Sequence, residues 1–140
     1  HPEGIKYIEN IIDGIIGKSP DVRYTVSNWW FNINGKGDNN MTHDHPGSDL
    51  ALVWYLTESY GGCIGFQNPH VFKRFNLLNA VSSPHEPAGM TYDFIIEPKK
   101  GDVIVFPADV MHFVTPHEQD KDRICISLNI SITNTFFDGE

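Results

Sequence analysis

The chain has 140 residues, 40% hydrophobic and 20% charged, with nine Phe, five Tyr and three Trp. That composition is globular and too aromatic for a disordered chain, and the length suits one domain over residues 1–140 that folds without disulfide or zinc staples. Ten Lys+Arg against eighteen Asp+Glu give a net charge of −8, which argues against a whole-surface nucleic-acid binder or a polybasic membrane binder, because both need clustered cations.

Ile5, Ile8, Ile11, Ile12, Ile15 and Ile16 recur at helical spacing, so residues 1–20 are expected to hold one amphipathic helix. It should end near Gly17, with Pro20 forbidding its continuation. Beyond it, short runs rich in β-branched and aromatic residues are separated by Gly, Pro, Asn and Asp. Strands are expected over Arg23–Ile33, Leu50–Thr57, Gly62–Gln67, Thr91–Ile96, Asp102–Pro107 and Arg123–Thr133. Residues 34–40, 82–89 and 116–122 read as loops. One helix followed by many short strands predicts an all-β sandwich or barrel over residues 21–135. No apolar run approaches the ~18 residues of a membrane span, and no segment reads as a secretory signal. A cytoplasmic location is therefore expected. Cys63 and Cys125 form no C-x-x-C motif and are expected as reduced thiols. No phosphate-loop, dinucleotide-binding or nucleophile-elbow motif is present.

The densest polar cluster runs from Asn39 to Gly47 and contains His43-Asp44-His45. Residues two apart on a strand point the same way, so His43 and His45 are expected to aim two imidazoles at one point. Alone, such a pair reads equally well as two surface histidines. A third imidazole is available at His112, five residues beyond the strand that ends at Pro107. Three imidazole or carboxylate ligands on one face suit a non-haem iron(II) oxygenase. In Arg123–Ile130, alternation puts Arg123, Cys125, Ser127 and Asn129 on one face and four apolar residues on the other. Burying a guanidinium without an anion costs several kcal/mol. Either that face meets solvent or Arg123 holds an anion, and a dicarboxylate matches its planar fork. His70, His85 and His117 read as solvated loop histidines. Of Trp29 and Trp30, one should face in as core and one out. Residues 70–89 form a long aperiodic stretch of the kind that serves as a lid or substrate-binding segment.

Taken together, these blocks resemble the Fe(II)/2-oxoglutarate-dependent dioxygenases, and within them the small 2OG-Fe(II) oxygenases of bacteria and phages. The resemblance rests on His43-Asp44-His45-Pro46-Gly47-Ser48-Asp49-Leu50, Trp54-Tyr55-Leu56, Gly65-Phe66-Gln67-Asn68-Pro69, Phe106-Pro107, His112, Val114-Thr115-Pro116, Arg123, Ser127 and Asn129. It covers about residues 24–133. It implies a double-stranded β-helix, a cupin-like jelly roll of two antiparallel sheets, with the N-terminal helix packed outside. It implies Fe(II), 2-oxoglutarate as cosubstrate and O2. The activity implied is hydroxylation of a peptidyl, for example prolyl, or small-molecule substrate, with release of succinate and CO2 in a bacterial or phage-infected cell. His43 and His112 take the places of the two iron-binding histidines. His45 stands where the broader superfamily has Asp or Glu, so a three-histidine site is implied. Arg123 takes the place of the partner of the cosubstrate's distal carboxylate, assisted by Ser127 and Tyr55. Asn129 joins them as a candidate for cosubstrate contact, and Asn28 is a second inward-looking polar residue. Cys125 stands where the family has Ser. Two other readings stay open: a metal-dependent cupin enzyme that uses no 2-oxoglutarate, and a non-enzymatic β-sandwich binding module. Arg123 discriminates against the first, because a simple cupin does not need it, and metal content against the second, because such a module should purify without stoichiometric metal.

Overall fold

A computed structural model of the chain describes residues 2–17, 19–69 and 93–135. Helix α1 spans Pro2–Ile16, and eight strands follow among the described residues. They are β1 (Val22–Asn34), β2 (Asn40–His43), β3 (Leu50–Tyr55), β4 (Ile64–Gln67), β5 (Asp93–Ile96), β6 (Val103–Pro107), β7 (His112–Val114) and β8 (Arg123–Asn134). They form two four-stranded antiparallel sheets, ordered β1-β8-β3-β6 and β2-β7-β4-β5. This is the expected jelly roll with a helix outside it. The sequence pattern missed β2 and β7, which have only four and three residues, too few for alternation to register. The expected loop at 34–40 is shorter, because Asn34 closes β1 and Asn40 opens β2. The stretch 70–89 that reads as a lid, with His70 and His85 in it, lies outside the described residues.

Helix α1 ends as its sequence dictates. Gly17 adopts φ 81°, and its N–H bonds the Asp13 carbonyl at 2.9 Å, a left-handed cap that glycine accepts without a Cβ clash. Ile8 and Ile12 are buried against Leu52 and Ile130 on one face of the first sheet, with Tyr24, Trp54, Val105 and Leu128 around them. Ile5 and Ile15 stay exposed. A second apolar layer, Ala51, Ile64 and Phe106 with Val53, Phe66, Ile96 and Ile104, lies between the two sheets. The first sheet is therefore covered on both faces, and its other face is free to build a site between the sheets.

A register shift between Val26 and Asn28 decides which β1 residues face that site. One extra residue in a strand transfers every later side chain to the opposite face. Tyr24, before the shift, packs toward α1, whereas Trp30 and Asn32, after it, line the interior cavity.

Gly65 shows how tightly the second sheet closes. It pairs with Phe113, whose ring lies across it, and a Cβ built at Gly65 would stand 2.2 Å from the ring's Cζ. Gly65→Ala should destabilise the fold by about 1–3 kcal/mol through overpacking. Chemical denaturation checks this, and an unchanged midpoint would show that the ring moves aside freely.

Candidate metal and anion site

The three histidines converge. His43 ends β2 and pairs directly with His112, which opens β7. The strand-alternation argument does not explain His45, because β2 stops at His43. His45 is set instead by its backbone N–H, which bonds the Ala108 carbonyl at 2.9 Å, just beyond the end of β6. Its ring stacks at 29° on Trp30, with centroids 5.8 Å apart. Asp44 is exposed, as expected.

Two backbone carbonyls fix the tautomers. His43 Nδ1 lies 2.7 Å from the Met41 carbonyl, and His112 Nδ1 lies 2.9 Å from the Val110 carbonyl. A carbonyl only accepts, so each Nδ1 carries a proton, and in the neutral ring it is Nε2 that holds the lone pair. His112 Nε2 lies 3.1 Å from His45 Nε2. All three histidines offer ligand atoms within 4.8 Å of one another. Two imidazoles at right angles on one ion would stand ~3.0 Å apart if each bond were ~2.1 Å. The donor set fits a divalent ion, and a carbonyl accepting from Nδ1 is a usual way of orienting such a ligand.

The electrostatics agree. Burial pushes the His112 ring down to about 4, with His43 and His45 adding to the effect. Burial, then His43, also lowers His45. Phe106 closes on the His112 ring, with centroids 4.7 Å apart. A ring kept neutral in this way is a ready metal ligand, since only the neutral form offers a lone pair.

Arg123 lies in the same cavity, which has a volume of ≈ 70 Å³ and is lined by His43, His45, His112, Tyr55, Arg123 and Ser127, among others. That is room for about five waters. Arg123 is 2% exposed, so the solvent-facing alternative for its face is excluded. Its Nη2 donates to Asn34 Oδ1 at 3.1 Å. Its Nε and Nη1, which carry most of a guanidinium's N–H donors, have no partner among the described residues. The Tyr55 ring lies 6.0 Å from the guanidinium carbon. Tyr55 is buried and its hydroxyl stays protonated, because burial raises its pKa more than Arg123 lowers it. Ser127 Oγ accepts from Asn32 Nδ2 at 2.7 Å, and Asn32 Oδ1 in turn accepts from Trp30 Nε1 at 3.1 Å. Because Ser127 Oγ accepts in this bond, its hydroxyl hydrogen is left to donate to another acceptor.

Other residues depart from expectation. Asn129 is not among the cavity's lining residues, and Asn28, paired with it across the register shift, is exposed. Trp29 is 61% exposed, as one of the pair should be, but Trp30 lines the cavity instead of serving as core. His117 is buried, not solvated. Its ring Nε2 bonds the Lys121 carbonyl, and its backbone bonds Asp38 and Gly37. It thereby ties the β1–β2 loop to the segment that leads into Arg123. Asn32 and Asn34 were missed. Their alternation with Trp30 was visible, but which face they share with Arg123 depends on the β1–β8 register. Cys63 and Cys125 are free thiols.

The sequence profile of a family described as "Putative 2OG-Fe(II) oxygenase" matches residues 28–129. None of the curated proteins matches the chain. Among solved structures, it is similar to an oxidoreductase of the 2OG-Fe(II) oxygenase family from Burkholderia pseudomallei, with TM-score 0.62 and 16% identity. That match covers 87% of this chain and 50% of the other. A Pseudomonas putida prolyl-4-hydroxylase matches with TM-score 0.57 and 15% identity, over 92% of this chain and 61% of its own. The non-haem monooxygenase ThoJ, in complex with nickel, matches with TM-score 0.58 and 14% identity, over 91% and 52%. At these identities the likeness establishes the fold, and the chain spans about half to three-fifths of each of these proteins.

The neutral, buried His112 links stability to pH. Its folded value of about 4 lies below the unfolded value of 6.5, so the unfolded chain binds the proton more readily. Its contribution to stability should be present in full above pH 6.5 and be lost as pH falls from 6.5 toward 4. Unfolding midpoints of metal-free protein across this window should fall more steeply for wild type than for His112→Gln. Parallel curves would contradict the assignment.

Proposed function

The chain belongs to the 2OG-Fe(II) oxygenase family, and from that premise we propose that it is an iron(II)- and 2-oxoglutarate-dependent hydroxylase acting on a peptidyl, for example prolyl, or small-molecule substrate. One observation carries the reading. A buried guanidinium with unpartnered donors shares a small cavity with three convergent imidazoles. A metal site alone has no use for the guanidinium, and a carboxylate site alone has no use for the imidazoles. A dicarboxylate whose other end binds metal uses both.

In this reading His43, His45 and His112 hold the iron. Neutral imidazoles leave the ion its full positive charge, which favours an anionic cosubstrate over a neutral one. Arg123 receives the distal carboxylate through charge-assisted hydrogen bonds, and the Ser127 hydroxyl donates to the same group. Tyr55 walls that end of the pocket with an aromatic face and a protonated hydroxyl. Ile64, Phe106 and Val114 also line the cavity and exclude water from it. When bound, iron(II) and 2-oxoglutarate supply the oxidising chemistry, consuming O2 and releasing succinate and CO2. The protein orients them and keeps the site dry. The likeness to a prolyl-4-hydroxylase supports a peptidyl substrate.

Calorimetric titration of 2-oxoglutarate into the metal-loaded protein without oxygen tests the reading. Wild type should bind. Arg123→Ala should lose about 2–5 kcal/mol, as truncated buried charge pairs do, or roughly thirty-fold or more in affinity. Arg123→Lys should not fully rescue it, because an ammonium lacks the planar fork. Both variants should keep their metal, whereas His43→Ala and His112→Ala should lose it. Absence of wild-type binding, or Arg123→Ala binding as tightly as wild type, would overturn the 2-oxoglutarate assignment.

A further inference from the structure

Arg123 has one side-chain hydrogen-bond partner among the described residues, and that partner is neutral. Asn34 closes β1 and pairs directly across from Arg123, the first residue of β8. Both side chains are buried, at 7% and 2% exposure, and Asn34 Oδ1 accepts from Nη2. Gly62 borders the guanidinium on another side, where a built Cβ would stand 3.4 Å from Arg123 Cδ and 3.5 Å from Nε. The surroundings thus hold the arginine in place without supplying a countercharge.

The choice of amide over carboxylate is the informative part. An aspartate at this position would have nearly the same shape and would make a stronger, charge-assisted bond to the same nitrogen. It would also neutralise the buried charge that an incoming anion needs. A fold selecting only for stability gains from the aspartate, since a buried guanidinium without a countercharge is costly. A pocket selecting for an anionic ligand gains from the amide.

We infer that Asn34 is a positioning residue that orients Arg123 toward the cavity while leaving its charge uncompensated, so that the affinity for an anionic cosubstrate depends on the neutrality of this side chain. The inference rests on the cosubstrate reading above and assigns it a residue outside its binding motif. Asn34 acts through Arg123.

The test is anaerobic calorimetric titration of 2-oxoglutarate into metal-loaded wild type, Asn34→Ala and Asn34→Asp, with metal affinity and thermal unfolding measured on each. Asn34→Ala should lose a few-fold in affinity, because Arg123 keeps its charge and loses its alignment. Asn34→Asp should lose ten-fold or more while unfolding at or above the wild-type temperature and binding metal as wild type does. A merely structural role predicts the opposite order, since the aspartate preserves shape and hydrogen bond and the alanine does not. Asn34→Asp binding as tightly as Asn34→Ala, or more tightly, overturns the inference and leaves the cosubstrate reading standing. Should the aspartate variant not fold, wild-type affinity in Asn34→Ala overturns the inference. A wild-type protein that takes up no 2-oxoglutarate overturns the cosubstrate reading and this inference with it.

Discussion

A guanidinium cannot shed its charge to suit a dry environment, because its pKa lies far above any working pH. Arg123 is nevertheless almost completely buried, and most of its donors are unpartnered among the described residues. Much of the surrounding structure serves this one group. The β1–β8 ladder, the longest among the described residues, delivers Asn34 opposite it. Gly62 borders its Cδ and Nε on another side. His117 anchors the loop that leads into it. The imidazoles at the other end of the cavity pose a milder problem. A histidine answers burial by staying neutral, as the lowered values of His45 and His112 show. The histidine end is therefore tolerable without a ligand, whereas the arginine end keeps a charge that no described residue compensates.

The parts of this arrangement that the sequence revealed are those written in local patterns. The six isoleucines announced α1, although only Ile8 and Ile12 are deeply buried. The alternation from Arg123 to Ile130 correctly put Arg123 and Ser127 on the cavity face and the apolar residues on the other. His43, His45 and His112 were recognisable as a set. What stayed hidden depends on pairing at long range. The register shift after Val26 changes the face of β1, so no count along the strand could place Trp30 and Asn32 in the cavity or Asn34 against Arg123. His45 reaches the metal end through a hydrogen bond to Ala108 beyond β6, which nothing between His43 and Gly47 encodes. His117 looked like a loop residue because its neighbours are polar, yet its ring is buried on the backbone of its own loop. Asn129 shares the alternation of its neighbours, but it sits one step further along β8 than the cavity extends.

His45 stands where the resemblance leads one to expect a carboxylate, and in the proposed site three imidazoles would leave the ion more electrophilic than two imidazoles and a carboxylate would. Trp30, stacked on His45 and bonded to Asn32, joins the two ends of the cavity, since Asn32 also engages Ser127. A cupin enzyme without 2-oxoglutarate would share the histidines and the sheets, but it would leave Arg123 and the polar row from Trp30 to Ser127 without a purpose.

The central claim is that one small molecule bridges the two ends of one cavity. A crystal structure of the protein loaded with a divalent ion and 2-oxoglutarate without oxygen tests it most directly. The account predicts an ion on His43, His45 and His112, with the dicarboxylate lying between it and the Arg123 guanidinium. An ion on the histidines with the dicarboxylate bound elsewhere, or Arg123 turned away from it, would contradict the account.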